Sequence, residues 1–403
     1  MIRGSALGMA LLGSAVIAVT YGLARFVFGL FLPAMRADLG IDPATAGIIG
    51  ALPFASYVAA ILVAPRLSQA LGVRLAAALA VGFAAVGLLA IAHASGAVVL
   101  GLGVVTCGIS TGLSSPIMAD AVHVAVAPTK HGRVNAAINA STSVGVAAAP
   151  IAMAAFGPAW RPAYDAFAVL AVLAMAAALV FLPRRRPAQA DAAAETALRT
   201  GPSRQQIADI VRLSLLGGVM GIVSALYWVF APDFAVNAGG LAPGASAWIW
   251  LAVGVGGLAG VGAGDLVARH GLASSHAFAM AVLAAALTLL AADPGSLSLA
   301  MVSAAVFGAA YMTLTGIYLV ASTQIRADRP AAGPVVPFLA IGSGQIAGSA
   351  LGGGLVEAVG YGTSFGAFAA LALAASVVSL AFDAPSRGVR ASGPPPERLS
   401  CEA

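Results

Sequence analysis

"TYGLARFVFGLFLP", Thr20 to Pro33, is an apolar run that holds a single charge, Arg25. It belongs to an apolar stretch running from about residue 7 to 32. That is longer than the roughly twenty residues needed to cross membrane hydrocarbon at ~1.5 Å per residue. Runs of this kind recur near 44–64, 74–92, 96–119, 133–156, 162–182, 211–231, 244–264, 272–291, 296–321, 332–356 and 361–382, twelve in all with the first. Composition agrees: 60% of residues are hydrophobic and 9% charged, where a soluble domain carries about 25% charged. A transmembrane barrel needs ~10-residue segments of alternating polarity, and these runs are continuous. The fold class is therefore an all-α polytopic membrane protein with twelve transmembrane helices. Inside that frame Arg25 stands out, because a charge at mid-bilayer costs roughly 2.5–3.5 kcal/mol on insertion scales.

The basic residues orient the chain. With the N-terminus inside, seventeen of the twenty lysines and arginines fall in cytoplasmic segments. Arg36 and Arg161 fall outside, and Arg25 remains in the membrane. The inside-positive bias puts both termini in the cytoplasm, and a bacterial-type plasma membrane is the expected location. It also accounts for the sequence pI of about 9.6 without any nucleic acid. The polar stretch "PRRRPAQADAAAETALRTGPSR" (183–204) divides the runs into two sets of six. The expected organisation is an N-terminal half (1–182), a linker (183–210), a C-terminal half (211–382) and a disordered cytoplasmic tail (383–403). Cys107 and Cys401 match no disulfide, zinc or redox spacing. The N-terminal apolar run is too long for a cleaved leader and reads as a retained first helix.

The two halves are pseudo-symmetric at an offset near 200: "RLSQALGV" (66–73) parallels "DLVARHGL" (265–272), Gly108 parallels Gly308, and Ser143 parallels Ser343. In this the chain resembles the major facilitator superfamily. That family's loop signature, roughly G-x-L-a-D-R-x-G, is followed by Gly264, Asp265, Arg269 and Gly271, with Ala268 in place of the aspartate. Its first-half copy keeps Leu67 and Gly72, flanked by Arg66 and Arg74. The family's span-five antiporter motif is echoed by Gly145, Ala149, Pro150, Met153 and Ala154, with Gly145 and Pro150 as the helix-bending pair. The segments "YGLARF" and "LPAMRADLG" are similar to an uncharacterised bacterial branch near efflux permeases and cyanate-type transporters. Val104 stands where drug–proton antiporters of the family carry an arginine, so their proton mechanism is not carried over through that position.

The resemblance implies that spans one, four, seven and ten line a central cavity. Helical spacing then offers Tyr21, Arg25 and Phe28 on span one and Ser110 and Ser114 on span four. Span seven offers Tyr227 and Trp228, and span ten offers Tyr311 and Thr315. For Arg25 two readings compete. One is an anchor for an anion in the cavity; the other is a structural pair with an acid, or snorkelling to the interface. Coupling to protons falls to Arg25 or to Asp233, which follows Pro232 at the outer end of span seven. Asn135, Asn139, Thr142, Ser343 and Gln345 read as interhelical hydrogen-bonding groups.

The expected function is secondary active transport of a small organic molecule by alternating access, in the direction of efflux and as a proton antiporter. The alternative is uptake of a small anion with Arg25 as counter-charge, and a remote one is a non-transporting sensor or scaffold. No Walker spacing, H-E-x-x-H or nucleophile elbow occurs, so neither an enzyme nor a cofactor or metal is expected. The expected partners are the substrate, protons and the lipid bilayer around a monomer.

Overall fold

The computed structural model describes residues 5–184, 203–325 and 335–381, and every regular element among them is helical. In chain order the elements are α1 (Ala6–Ile17), a π-turn (Ala18–Leu23), α2 (Phe28–Leu39), α3 (Pro43–Ala92), α4 (Ala97–Ala125), α5 (His131–Phe156) and α6 (Trp160–Phe181). After the linker come α7 (Arg204–Asp233), α8 (Ala245–Gly257), α9 (Ala263–His270), α10 (Leu272–Ala292), α11 (Leu297–Ile325), α12 (Val335–Val359) and α13 (Tyr361–Ala381). Among the described residues, eleven helical stretches are long and apolar enough to cross a membrane, against the twelve read from the sequence. One of them, α3, is 50 residues long, about 75 Å at the helical rise and more than twice the hydrocarbon thickness. It is interrupted at Gly72, whose backbone is non-helical (φ 77°, ψ 158°).

Several boundaries differ from the sequence reading for identifiable reasons. The first span runs on to Leu39, because Pro33 lies inside α2 and does not end it. A proline there removes one donor, leaving the Gly29 carbonyl without its helical N–H partner. Likewise α7 begins at Arg204, seven residues before the expected 211, since Ser203 and Gln206 form a reciprocal capping box. The Ser203 hydroxyl accepts from the Gln206 N–H at 3.1 Å, and the Gln206 side chain accepts from the Ser203 N–H at 2.9 Å. Most of the linker (185–202) and the tail (382–403) lie outside the described residues.

Small residues set the packing, as expected where lipid is as apolar as the helix surface. Between α3 and α12, a Cβ on Gly47 would stand 2.7 Å from the Gly353 Cα, so only glycine permits that approach. Gly145 of α5 lies as tightly on Gly22 in the π-turn. Large apolar side chains such as Leu11, Val98, Ile151, Val261, Leu351 and Val377 face outward, a surface suited to lipid.

Candidate functional site

The first span is broken where its charge sits. In the π-turn and just after it, the Ala24 N–H reaches back five residues to Val19 O (2.8 Å) and the Phe26 N–H to Tyr21 O (3.2 Å). Regular helix resumes only at Phe28. Breaks of this kind in membrane helices commonly mark binding sites. Here the break sets Arg25 among four rings, with its guanidinium carbon 4.2 Å from the Tyr57 centroid, 4.9 Å from Phe54, 5.0 Å from Phe26 and 5.7 Å from Tyr21. The side chain is 6% exposed. Its Nη2 donates to Gln345 Oε1 at 2.9 Å, and Gln345 Nε2 donates to the Tyr311 hydroxyl at 3.2 Å. Arg25 Nε has no hydrogen-bond partner. Among the described residues the ion pairs are Arg36–Asp233, His93–Asp165, Arg161–Asp38 and Arg212–Asp209, so no carboxylate pairs with Arg25. Ring faces attract a cation but do not neutralise it.

Of the cavity residues read from the sequence, Tyr21, Trp228 and Tyr311 gather around Arg25. Trp228 stacks on Phe26 at 4.2 Å between centroids and meets Tyr311 edge-on at 5.2 Å. Phe26 takes the place expected of Phe28, because the break discards the regular i, i+4, i+7 register on which Phe28 was chosen. Tyr227 is turned the other way: its hydroxyl pairs with Ser303 Oγ at 2.8 Å and its ring stacks on Phe307. The Ser114 hydroxyl is held by its own helix at Ser110 O, 2.8 Å, and Ser110 Oγ is buried without a partner. Thr315 likewise bonds back to Met312 O at 2.8 Å. Tyr57 and Phe54 are site residues the sequence did not single out, and Gln345, read there only as an interhelical hydrogen-bonding group, makes such bonds to Arg25 and Tyr311. A glutamine in a glycine-rich apolar run was a signal, but one equally expected of ordinary interhelical bonding.

A second polar cluster forms where α2, α7 and α13 meet. Asp233 is fully buried, and its carboxylate accepts from Arg36, from the Tyr361 hydroxyl and, at 2.6 Å, from Asn237 Nδ2. Arg36 also donates to the Tyr361 oxygen at 2.7 Å and to Ile41 O at 3.0 Å. The sequence placed Arg36 in a loop; α2 carries it in its last turn and delivers it to a helix from the far side of the linker. Nearby the Ala44 N–H donates to Glu357 at 3.0 Å.

The two loop-signature copies share a backbone form. Gly271 (φ 80°, ψ 166°) repeats the conformation of Gly72, each separating two helical segments. Arg74 Nε donates to Leu182 O at 2.5 Å, tying the first copy to the end of α6. Arg66 is exposed. Asp265 and Arg269 lie in the first and last turns of α9. At Gly264 there is open space where a Cβ would go, so the fold does not demand glycine there. Pro150 is buried within α5, and Gly145 serves the close approach to Gly22.

The Major Facilitator Superfamily model matches residues 14–336. No curated protein matches the chain in sequence. Among solved structures, a variant of the nucleoside transporter NupG superposes with a TM-score of 0.75 at 14% identity, covering 93% of this chain and 99% of that one. A variant of the peptide transporter POT in complex with sulfate gives 0.74 at 15% identity, covering 94% of each. A POT family transporter in complex with a thioalcohol-conjugated peptide gives 0.72 at 15%, covering 94% and 96%. Identities this low speak to the fold.

Proposed function

The chain belongs to the Major Facilitator Superfamily, and from that premise we propose that it is a secondary active transporter of a small organic molecule bearing an anionic group. One observation carries the reading: Arg25 is a buried cation, at a helix break, with no acid beside it. A buried charge without a counter-ion is destabilising by several kcal/mol, so its retention is best explained by a ligand that supplies the missing charge. Asp233 is the alternative charge centre, and its own donors already satisfy it.

In this reading α3 crosses twice, on either side of Gly72, which makes twelve crossings in two six-helix halves (1–182 and 211–382). Arg25, Tyr21 and Tyr57 come from the first half, and Trp228, Tyr311 and Gln345 from the second, so a ligand between them reports to both. With the termini cytoplasmic, the Arg36–Asp233–Tyr361 cluster closes the outer side, and Asp233 is the group through which protons couple. The span-five echo around Gly145 and Pro150 supports export as the direction.

The test is a thermal-shift screen of small metabolites on purified protein, run on wild type beside Arg25→Lys. Compounds with a carboxylate or phosphate are expected to stabilise wild type and to lose at least tenfold in potency on the variant. Labelled hits are then followed in proteoliposomes under an imposed pH gradient, where antiport predicts substrate-dependent proton movement. Hits that act equally on both proteins would remove Arg25 from the site and the reading with it.

A further inference from the structure

Gln345 occupies the guanidinium edge on which a ligand would sit. The edge of an arginine formed by Nε–H and Nη2–H presents two parallel donors spaced for the two oxygens of one planar group. In Arg25 one prong, Nη2, donates to Gln345 Oε1, and the other, Nε, is buried with no acceptor. A primary amide cannot fill both prongs, because its second heteroatom is itself a donor. That donor goes instead to the Tyr311 hydroxyl. Gln345 is fully buried, belongs to α12, and lies 320 residues from Arg25 in sequence. The half-filled fork is thus also a tie between the N-terminal and C-terminal helices.

We propose that Gln345 is a one-pronged stand-in for a ligand carboxylate, displaced when that carboxylate takes both Nε and Nη2. The inference rests on the proposed role of Arg25 and adds the ligand's chemical class and the residue it exchanges with. A planar carboxylate suits the site better than a tetrahedral phosphate or sulfonate. The guanidinium lies under aromatic rings at 4.2–5.7 Å, and a third, out-of-plane oxygen would be pressed against their negatively polarised faces. Displacing Gln345 also breaks the Arg25–Gln345 tie, so ligand binding removes one of the hydrogen bonds that hold α12 to the helices before the linker, the Ser349–Gly47 bond being another. Gln345 is a positioning residue in this scheme and sets specificity by what it must be exchanged for.

Purified full-length protein is titrated with acetate, benzoate, benzenesulfonate and benzamide, read by thermal stability and by the fluorescence of the tryptophans, two of which (Trp228 and Trp250) lie near the site. Acetate and benzoate are expected to act, and benzenesulfonate and benzamide to act at least tenfold more weakly. In Gln345→Ala the acceptor to be displaced is gone, and carboxylate affinity rises roughly tenfold, the worth of one charge-assisted hydrogen bond. In Gln345→Glu the chain supplies its own two-pronged acceptor, so melting temperature is held or raised while the carboxylate response disappears. Arg25→Lys keeps the charge, loses the fork and should bind acetate and benzoate at least tenfold more weakly. A response lost in Arg25→Lys but kept at wild-type strength in both Gln345 variants leaves Arg25 as the anchor and overturns the exchange. A response undiminished in Arg25→Lys overturns both readings. Equal responses to benzoate and benzenesulfonate overturn the carboxylate assignment alone.

Discussion

Asp233 shows how a single side chain can join distant parts of the chain. Its carboxylate is fully buried and held by Arg36, Tyr361 and Asn237, from three separate elements. Removing one partner of such a pair leaves an uncompensated charge, typically costing about 3–5 kcal/mol, whereas removing both is far milder. Arg36→Met is therefore expected to lower stability by that order, and Arg36→Met with Asp233→Leu to recover most of the loss, measured as a double-mutant cycle in thermal melts. Additive losses would show that the pair is not coupled. Asp233 was legible in the sequence because an acid after Pro232 interrupts an apolar run. Its partner was not, since Pro33 reads as a helix stop and hides that α2 continues to Arg36. Arg25 was legible for the same reason as Asp233, but the break that aims it left no trace in the hydrophobic pattern. Polarity reports which residues need a partner; it does not say which residue 320 positions away provides one.

The apolar runs of the sequence fall in helices, eleven long ones among the described residues where the sequence reads twelve, and they are punctuated by prolines at 43, 128, 158, 183 and 294 and by two glycines. Gly72 and Gly271 share a backbone conformation (φ near 80°, ψ near 160°) that only glycine adopts without strain. The prolines at 33, 65, 116, 150 and 232 all lie within helices. Gly72→Ala and Gly271→Ala are each expected to destabilise by about 1–3 kcal/mol, the usual cost of that backbone region for a residue with a Cβ. Gly264→Ala, in open space on α9, should be neutral or stabilising by up to ~1 kcal/mol, although it belongs to the same sequence signature. Melting curves for the three variants check this: a loss at 264 as large as at 72 would show that the signature glycines act through something other than backbone conformation. The loop repeat in the sequence is thus matched by a repeat of backbone geometry, at positions 199 residues apart.

Contact between the helices before and after the linker includes close backbone seams, between α3 and α12, between α5 and α8 and, at Gly29 against Trp228 O, between α2 and α7. At the first, Gly47 faces Gly353 and Gly50 faces Ser349, whose hydroxyl donates to Gly47 O at 2.9 Å. At the second, Gly254 faces Ala147. Such seams hold by shape and by few hydrogen bonds, so they can part without leaving many buried polar groups unsatisfied. Near one end they are reinforced by the Arg36–Asp233–Tyr361 cluster. For a transporter that alternates its access, this is where closure would be held and lost. A wedge tests it: Gly47→Leu cannot be accommodated against Gly353, and should shift the population toward a form open at that end. The reporter is a cysteine at Ala235, fully buried in the turn after Asp233, in a protein whose own Cys107 is fully buried. With Cys401 replaced by serine, a membrane-impermeant maleimide added to intact cells is expected to label Ala235→Cys slowly, and several-fold faster when Gly47→Leu is present. Unchanged labelling, with Gly47→Leu protein still inserted in the membrane, would mean that the α3–α12 seam does not control access to Asp233.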